Sequence, residues 1–241
     1  MLRYFPKKYC MQRHLNHSSL NSRKVIAIDG YASTGKSTLA KMLSRHYHLT
    51  FIDSGALYRG VTFFALEKGF LKDNELHQKA FRDALEGLDL RLEPAGDLYL
   101  NGENISQKIR HPRVSDDVST IAALPFVRKF LLHQQRQMAL ENGIVMDGRD
   151  IGTVVFPNAD HKFFFTARPE VRAQRRYEEL KAQGQETTLE EVLNNLLHRD
   201  QTDSSRDVAP LRKADDAIEI DTSELTTDQL FTHLVEKIDA K

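Results

Sequence analysis

Short apolar runs alternate along the chain with segments whose apolar residues repeat at helical spacing. The runs predict five strands, at residues 25–29, 49–52, 144–147, 161–165 and 217–221. Strands that alternate with helices form parallel sheets. The pattern therefore predicts an α/β fold, with an open five-stranded parallel sheet flanked by helices.

The segments between the runs predict the flanking helices. Pro169 opens one helix and Gly184 ends it, because proline suits a first helical turn and glycine the position after the last. Thr188 and Glu191 form a Thr-x-x-Glu capping box that begins the next helix. The other predicted helices cover residues 56–68, about 114–141 and 226–238.

A different pattern interrupts this alternation in residues 71–110. Residues 88–92 alternate strictly between apolar and polar, and Asn101-Gly102 is a strong hairpin signal. We therefore predict a small antiparallel insert at 71–110. The polar stretch around Gly184 predicts a lid at about 169–206.

These patterns predict a single domain from residue 24 to 241. Its core comprises 24–70 and 111–241, and the insert interrupts it. Residues 1–23 are basic and lack clear periodicity, which predicts a flexible tail. Alternatively, these residues are added by an early start codon, with Met11 as another possible start, or they form a mitochondrial presequence.

Composition narrows the functional classes. The 241 residues include 40% hydrophobic residues and equal numbers of basic and acidic residues, 34 each, which argues against a general nucleic-acid binder. The single cysteine, Cys10, cannot form an intramolecular disulfide, which favours a reducing compartment. No apolar run approaches the roughly 18 residues of a membrane helix. We predict a cytoplasmic monomer with no membrane or nucleic-acid partner.

Residues 30–37 match the phosphate-binding motif G-x-x-x-x-G-K-[ST] between a predicted strand and a helix starting near Lys36. In such a loop, successive N–H groups and the helix N-terminus bind phosphate oxygens. Lys36 can reach the β- and γ-phosphates, and the Ser37 hydroxyl can bind Mg²⁺. The predicted ATP-binding residues are Gly30, Tyr31, Ala32, Ser33, Thr34, Gly35, Lys36, Ser37 and Thr38.

Arginines that follow the predicted strands point to a phosphorylated acceptor. A monophosphate is largely ionised at neutral pH and needs cations more than a general base. Arg149 follows a buried strand, where open α/β sheets bind ligands. Arg199, Asp203 and Arg206 share one face if their helix continues. Arg172, Arg175 and Arg176 are the candidate lid arginines.

Four segments together resemble bacterial cytidylate kinases, in the order and spacing of that family. They are IDGYASTGKST (28–38), DSGALYRG (53–60), DGRDIGTVVFPNA (147–159) and RDQTDSSRDVAPL (199–211). The third is far more specific than the phosphate-binding loop. The resemblance covers residue 24 to the C-terminus and implies Mg²⁺-dependent transfer of the ATP γ-phosphoryl group to CMP or dCMP.

The resemblance also implies roles for individual residues. Ser119, Arg128 and Asp150 look like cytosine contacts, since a carboxylate can accept from the exocyclic amino group that uracil lacks. Lys36, Arg149, Arg175 and Arg176 look like the catalytic cations. The other implied acceptor contacts are Ser54, Tyr58, Arg59, Arg199, Asp203 and Arg206.

The sequence departs from the family pattern at two places, and three alternative functions remain. Tyr31 stands where the family often has proline, and Thr202, Ser204 and Ser205 stand where it is often richer in arginine. A kinase for UMP is one alternative. A kinase of a small alcohol, with Asp53 as general base, is another. A regulatory GTPase is disfavoured because the chain lacks the guanine-reading Asn-Lys-x-Asp motif.

Overall fold

The computed structural model describes residues 24–72, 75–93, 96–139 and 143–240. The predicted tail (1–23) and the predicted end of the long helix at residue 141 lie outside these ranges. The strands are β1 (Val25–Gly30), β2 (Thr50–Asp53), β3 (Leu71–Lys72), β4 (Glu75–Leu76), β5 (Leu90–Leu92), β6 (Leu98–Leu100), β7 (Glu103–Asn104), β8 (Ile144–Gly148), β9 (His161–Thr166) and β10 (Ile218–Asp221).

One five-stranded parallel sheet forms the centre of the fold, in the order β10-β9-β1-β8-β2. This confirms the predicted sheet, and each strand bound lies within one residue of its prediction. β1 pairs on both sides, so that Ile28 lies opposite Asp147 on β8 and Phe163 on β9. Because all five strands run parallel, their carboxyl ends meet at one edge of the sheet.

Eight α-helices surround the sheet within the described residues. They are α1 (Lys36–His46), α2 (Ser54–Glu67), α3 (Gln78–Leu85), α4 (Pro112–Ala122), α5 (Pro125–Met138), α6 (Pro169–Ala182), α7 (Leu189–Ser205) and α8 (Thr227–Asp239). The capping box predicted for α7 is present, with Thr188 and Glu191 bonding each other's backbone.

The single long helix predicted from residue 114 is wrong. The chain forms α4 and α5 instead, because Pro125 has no N–H to continue the ladder and disfavours helical backbone at Leu124, which is extended. Pro125 opens α5 at its first turn, where a missing N–H costs nothing.

The segment predicted as an insert contains two small antiparallel sheets, β3-β4 and β5-β6-β7. It also contains α3, which the sequence pattern did not reveal. α3 has only eight residues, and its buried side chains are Phe81 and Leu85, one helical turn apart. So short an apolar repeat is hard to distinguish from a loop.

The largest hydrophobic cluster joins this segment to the rest of the protein. Phe81 and Leu98 pack in the same cluster as Leu57 of α2, Ile121 of α4 and Leu131 of α5. Two further clusters pack helices against the two faces of the parallel sheet. None of the helices in the described ranges combines the length and apolar character needed to cross a membrane.

We predict that Phe81→Ala destabilises the whole protein rather than the insert alone. Phe81 is 0% exposed and stacks on Phe70 with ring centroids 5.6 Å apart. Its loss should lower the free energy of unfolding by about 3–5 kcal/mol in one cooperative transition. Urea unfolding followed by circular dichroism measures this, with exposed Leu189→Ala as control. A separate early transition of small amplitude would show instead that the insert unfolds independently.

Candidate functional site

A cleft of about 720 Å³ opens at the carboxyl ends of the parallel strands. Nearly all the predicted site residues line it: Ala32, Ser33, Thr34, Gly35, Lys36, Ser37, Thr38, Ser54, Tyr58, Arg59, Ser119, Arg128, Arg149, Asp150, Arg175, Arg176, Arg199, Asp203 and Arg206. Gly30 and Tyr31 do not belong to the lining. The structure therefore brings residues from six segments, within 32–38, 54–59, 119–128, 149–150, 175–176 and 199–206, to one cavity.

The predicted phosphate-binding loop begins where β1 meets its neighbour β9. Gly30 has φ of 140°, and a Cβ there would lie 2.1 Å from the Phe165 carbonyl oxygen, so that only glycine fits. Gly35 has φ of 86° and precedes α1, which starts at Lys36 as predicted. The loop thus directs the helix N-terminus into the cleft.

Lys36 lies inside this loop, with 6% of its surface exposed. Its ammonium group donates to the Tyr31 carbonyl and to the Thr34 hydroxyl, the latter at 3.2 Å. Burial, followed by the nearby Arg149 guanidinium, lowers the pKa of Lys36 to about 7. An anion bound in the loop would favour the charged form, since it supplies the opposite charge that burial makes necessary.

Asp147, at the end of β8, is a site residue that the sequence analysis missed. The Ser37 hydroxyl donates to Asp147 Oδ2 at 2.5 Å, while Oδ1 is buried and accepts no hydrogen bond from the described residues. Burial and the Asp53 carboxylate raise the pKa of Asp147 to about 6. A hydroxyl beside a carboxylate with an unused oxygen is a donor set that suits Mg²⁺.

The signal for Asp147 was a charged residue that ends an otherwise apolar strand. Only the pairing of β8 with β1 shows its importance, because it places Asp147 beside the strand that leads into the phosphate-binding loop.

A buried ion pair between Arg128 and Asp150 forms part of the wall of the cleft. Their side chains are 7% and 6% exposed, and Arg128 also donates to the Ala122 carbonyl at 3.0 Å. The Arg128 guanidinium lies 5.3 Å from the centre of the Tyr58 ring. Ser119, 7% exposed, lines the same wall. A fixed carboxylate beside an aromatic ring can recognise a planar base by hydrogen bonding and stacking.

Asp203 pairs with two arginines, and all three residues line the cleft. It accepts from Arg149 Nε at 2.9 Å and lies 3.5 Å from Arg206. Arg199 and Asp203 lie on α7, but the helix does not continue through Arg206, because α7 ends at Ser205 and Arg206 is extended. Arg199 Nε and Arg206 Nη2 are buried without a hydrogen-bond acceptor among the described residues. These donors are suited to bind oxygen atoms of an anion.

Asp53 does not have the environment of a general base. It caps α2 by accepting from the Ala56 N–H at 2.9 Å, and it pairs with Arg59 at 2.9 Å. Burial alone would raise the pKa of Asp53, but Arg59 and the Ala56 N–H hold it below its ordinary value. The adjacent Ser54 hydroxyl donates to the Asp147 carbonyl at 2.6 Å.

Of the three arginines predicted for the lid, Arg175 and Arg176 line the cleft. Arg175 donates to the Thr222 carbonyl at 2.6 Å, and Arg176 pairs with Glu179 at 2.8 Å. Arg172 also lies on α6 but is not among the residues that line the cleft.

Arg172 instead holds neighbouring segments together. It is 3% exposed, pairs with Asp200 of α7 at 2.7 Å and lies 5.1 Å from the Tyr31 ring. The phosphate-binding loop, α6 and α7 are therefore joined through one guanidinium.

We predict that Arg172 and Asp200 are energetically coupled. Arg172→Met leaves a partly buried carboxylate without its cation, which should cost about 3 kcal/mol of unfolding free energy. Adding Asp200→Asn should restore part of that loss, and denaturant unfolding of both single variants and the double variant measures the coupling. The exposed pair Lys108–Glu103 is the control and should show little coupling. Strictly additive losses at Arg172 and Asp200 would contradict this prediction.

The chain is similar to known proteins over most of its length. The family model for cytidylate kinase matches residues 26–240. A cytidylate kinase of Bacteroides thetaiotaomicron is 50% identical over 209 residues, covering 85% of this chain and 91% of its own length. One of Phocaeicola vulgatus is 48% identical over 220 residues, covering 89% and 96%, and one of Parabacteroides distasonis is 46% identical over 218 residues, covering 88% and 95%.

Proposed function

Because this chain belongs to the cytidylate kinase family, we propose that it transfers the γ-phosphoryl group of ATP to CMP or dCMP, giving ADP and CDP or dCDP. One observation carries the proposal. A single cleft is lined by the phosphate-binding loop, by the buried Arg128–Asp150 pair and by several further arginines. This arrangement suits two phosphorylated ligands bound end to end.

The donor end is formed by the loop of residues 30–38. Its N–H groups and Lys36 bind the triphosphate, and Arg175 and Arg176 reach the same end from α6. Ser37 and Asp147 would hold Mg²⁺, which neutralises charge on the β- and γ-phosphates when it is bound. Gly30 and Tyr31 contribute through the backbone shape of the loop.

The acceptor end binds the monophosphate and reads its base. The Asp150 carboxylate accepts from the cytosine edge, and the Ser119 hydroxyl can donate to it or accept from it. Arg128 holds the Asp150 carboxylate in place. Since an ionised carboxylate only accepts hydrogen bonds, it favours the amino group of cytosine over the carbonyl of uracil. The remaining acceptor contacts are Ser54, Tyr58, Arg59, Arg149, Arg199, Asp203 and Arg206.

The reaction is an in-line displacement. An oxygen of the acceptor monophosphate attacks the γ-phosphorus, the new P–O bond forms, and the bond to the β-phosphate oxygen breaks to release ADP. The acceptor is already ionised, so no general base is required. Lys36, Arg149 and the α6 arginines stabilise the negative charge spread over the transferring group.

We propose that residues about 169–206 act as a lid over the rest of the core, which comprises 24–70 and 111–241. Residues 71–110 are proposed to form the monophosphate-binding insert. Closure of the lid would exclude water and suppress ATP hydrolysis. The proposal also includes a monomer that works in the cytoplasm on small-molecule substrates.

The alcohol-kinase alternative is not favoured. It needs Asp53 to remove a proton from the acceptor, but Asp53 is paired with Arg59 and its pKa is held below the ordinary value. A base must instead accept a proton readily near the working pH.

Substitution of Asp150 tests base recognition. Asp150→Asn replaces an acceptor-only group with one that can also donate to uracil, so kcat/KM for CMP should fall relative to that for UMP by roughly tenfold or more. A coupled ADP-release assay with CMP, dCMP, UMP and AMP measures this. Asp53→Asn is the control and should retain transfer to CMP. Loss of all transfer in Asp53→Asn, with little effect of Asp150→Asn, would favour the alcohol kinase.

Substitution of Asp147 tests the metal site. Asp147→Asn removes the charge beside Ser37, so the free Mg²⁺ concentration for half-maximal activity should rise by about tenfold or more. Titration of Mg²⁺ at saturating ATP and CMP measures this, and the exposed Asp89→Asn is the control. Full activity of the unmodified protein in excess chelator would contradict the proposed role of Mg²⁺.

A further inference from the structure

Asp29 is a buried carboxylate that the proposed reaction does not use. It is the residue of β1 that immediately precedes Gly30, and it is 5% exposed. Its Oδ1 accepts from the Ile151 N–H and its Oδ2 from the Gly152 N–H, each at 2.7 Å. Both carboxylate oxygens are therefore committed to the backbone that follows Asp150.

Those two N–H groups begin an irregular turn. Residues Ile151–Val155 form a single π-helical turn, whose first N–H groups have no carbonyl partner within the turn. The preceding residue, Asp150, makes no capping bond to the turn with its side chain. Asp29 therefore caps the turn from another strand, through two hydrogen bonds from backbone N–H groups to its carboxyl oxygens. Burial raises the pKa of Asp29 to about 7, and these two bonds oppose that rise because they favour the ionised form.

Gly152 lies close to the Asp29 carboxylate. A Cβ at position 152 would lie 3.4 Å from Asp29 Oδ2 and 3.2 Å from the Lys162 side chain. A side chain at 152 would therefore contact Asp29 and displace the Lys162 side chain by a few tenths of an ångström. The sequence Asp150-Ile151-Gly152 thus fits the Asp29 carboxylate as well as the cleft.

We infer that Asp29 is a positioning residue, which sets the Asp150 carboxylate against the acceptor base while being joined directly to the phosphate-binding loop. Asp150 is bonded to Ile151, so fixing the Ile151 and Gly152 N–H groups fixes where the Asp150 side chain begins. This inference rests on the proposed function, since it concerns how CMP is read. A different role, shaping the phosphate-binding loop alone, would affect ATP instead.

Asp29→Asn tests this inference. The amide has one acceptor oxygen, and its NH₂ group opposes the second backbone N–H. A displacement of the Asp150 segment should lower kcat/KM for CMP by roughly tenfold or more, because small misplacements of positioning groups are costly. The value for UMP should fall much less, and the KM for ATP should stay within about twofold of the unmodified protein.

Asp160→Asn is the matched control. The Asp160 carboxylate accepts from the Val25 N–H at 2.7 Å. Val25 is the first residue of β1, so this bond lies at the end of the strand opposite the cleft. This variant also loses a charge and alters a carboxylate-to-backbone bond of β1. It should leave the CMP-to-UMP ratio of kcat/KM unchanged.

Gly152→Ala keeps the charge of Asp29 and perturbs the same contact, so it serves if Asp29→Asn does not fold. It should shift the CMP-to-UMP ratio in the same direction. The inference would be overturned if the variant that folds lost kcat/KM equally for CMP and UMP. It would also be overturned if only the KM for ATP rose. Failure of the unmodified protein to phosphorylate CMP is a separate result, which would refute the proposed function.

Discussion

The parallel pairing of β1 with β8 is the constraint on which the rest of the structure depends. In this register Asp29 lies opposite Gly148, so the start of the phosphate-binding loop and the Asp147–Asp150 segment leave the sheet side by side. β1 is also paired with β9, and its interior residues are fully buried. Neither strand can slip without exposing apolar side chains and breaking two rows of hydrogen bonds.

This juxtaposition concentrates charge in one cleft. Asp53, Asp150 and Asp203 each hold an arginine that lines the cleft. Buried charges require partners, because leaving one unpaired costs several kcal/mol. The ion pairs therefore keep the arginines in place before an anion binds, which reduces the ordering that binding requires.

Much of the site followed from local sequence, and some residues did not. The loop of residues 30–37 and the Asp147–Asp150 segment were recognisable because their chemistry requires fixed spacing along one strand-to-loop junction. Within that segment Asp147 was not singled out as a site residue, and Asp29 was given no role, because their partners Ser37 and Gly152 lie 110 and 123 residues away. Sequence spacing groups Arg172 with Arg175 and Arg176, because spacing cannot distinguish an arginine that lines the cleft from one buried against Asp200.

The sequence by itself determined the five strands of the sheet, the phosphate-binding loop and the family, since these depend on periodicity and on contiguous motifs. Pro125 already marks in the sequence where α4 and α5 separate. Tertiary structure alone decided that α3 exists and that Arg206 leaves the helix while still reaching Asp203. It also decided which carboxylates hold which arginines. The physical reason is that burial and ion pairing are set by chain segments far apart in sequence, whose approach no local pattern encodes.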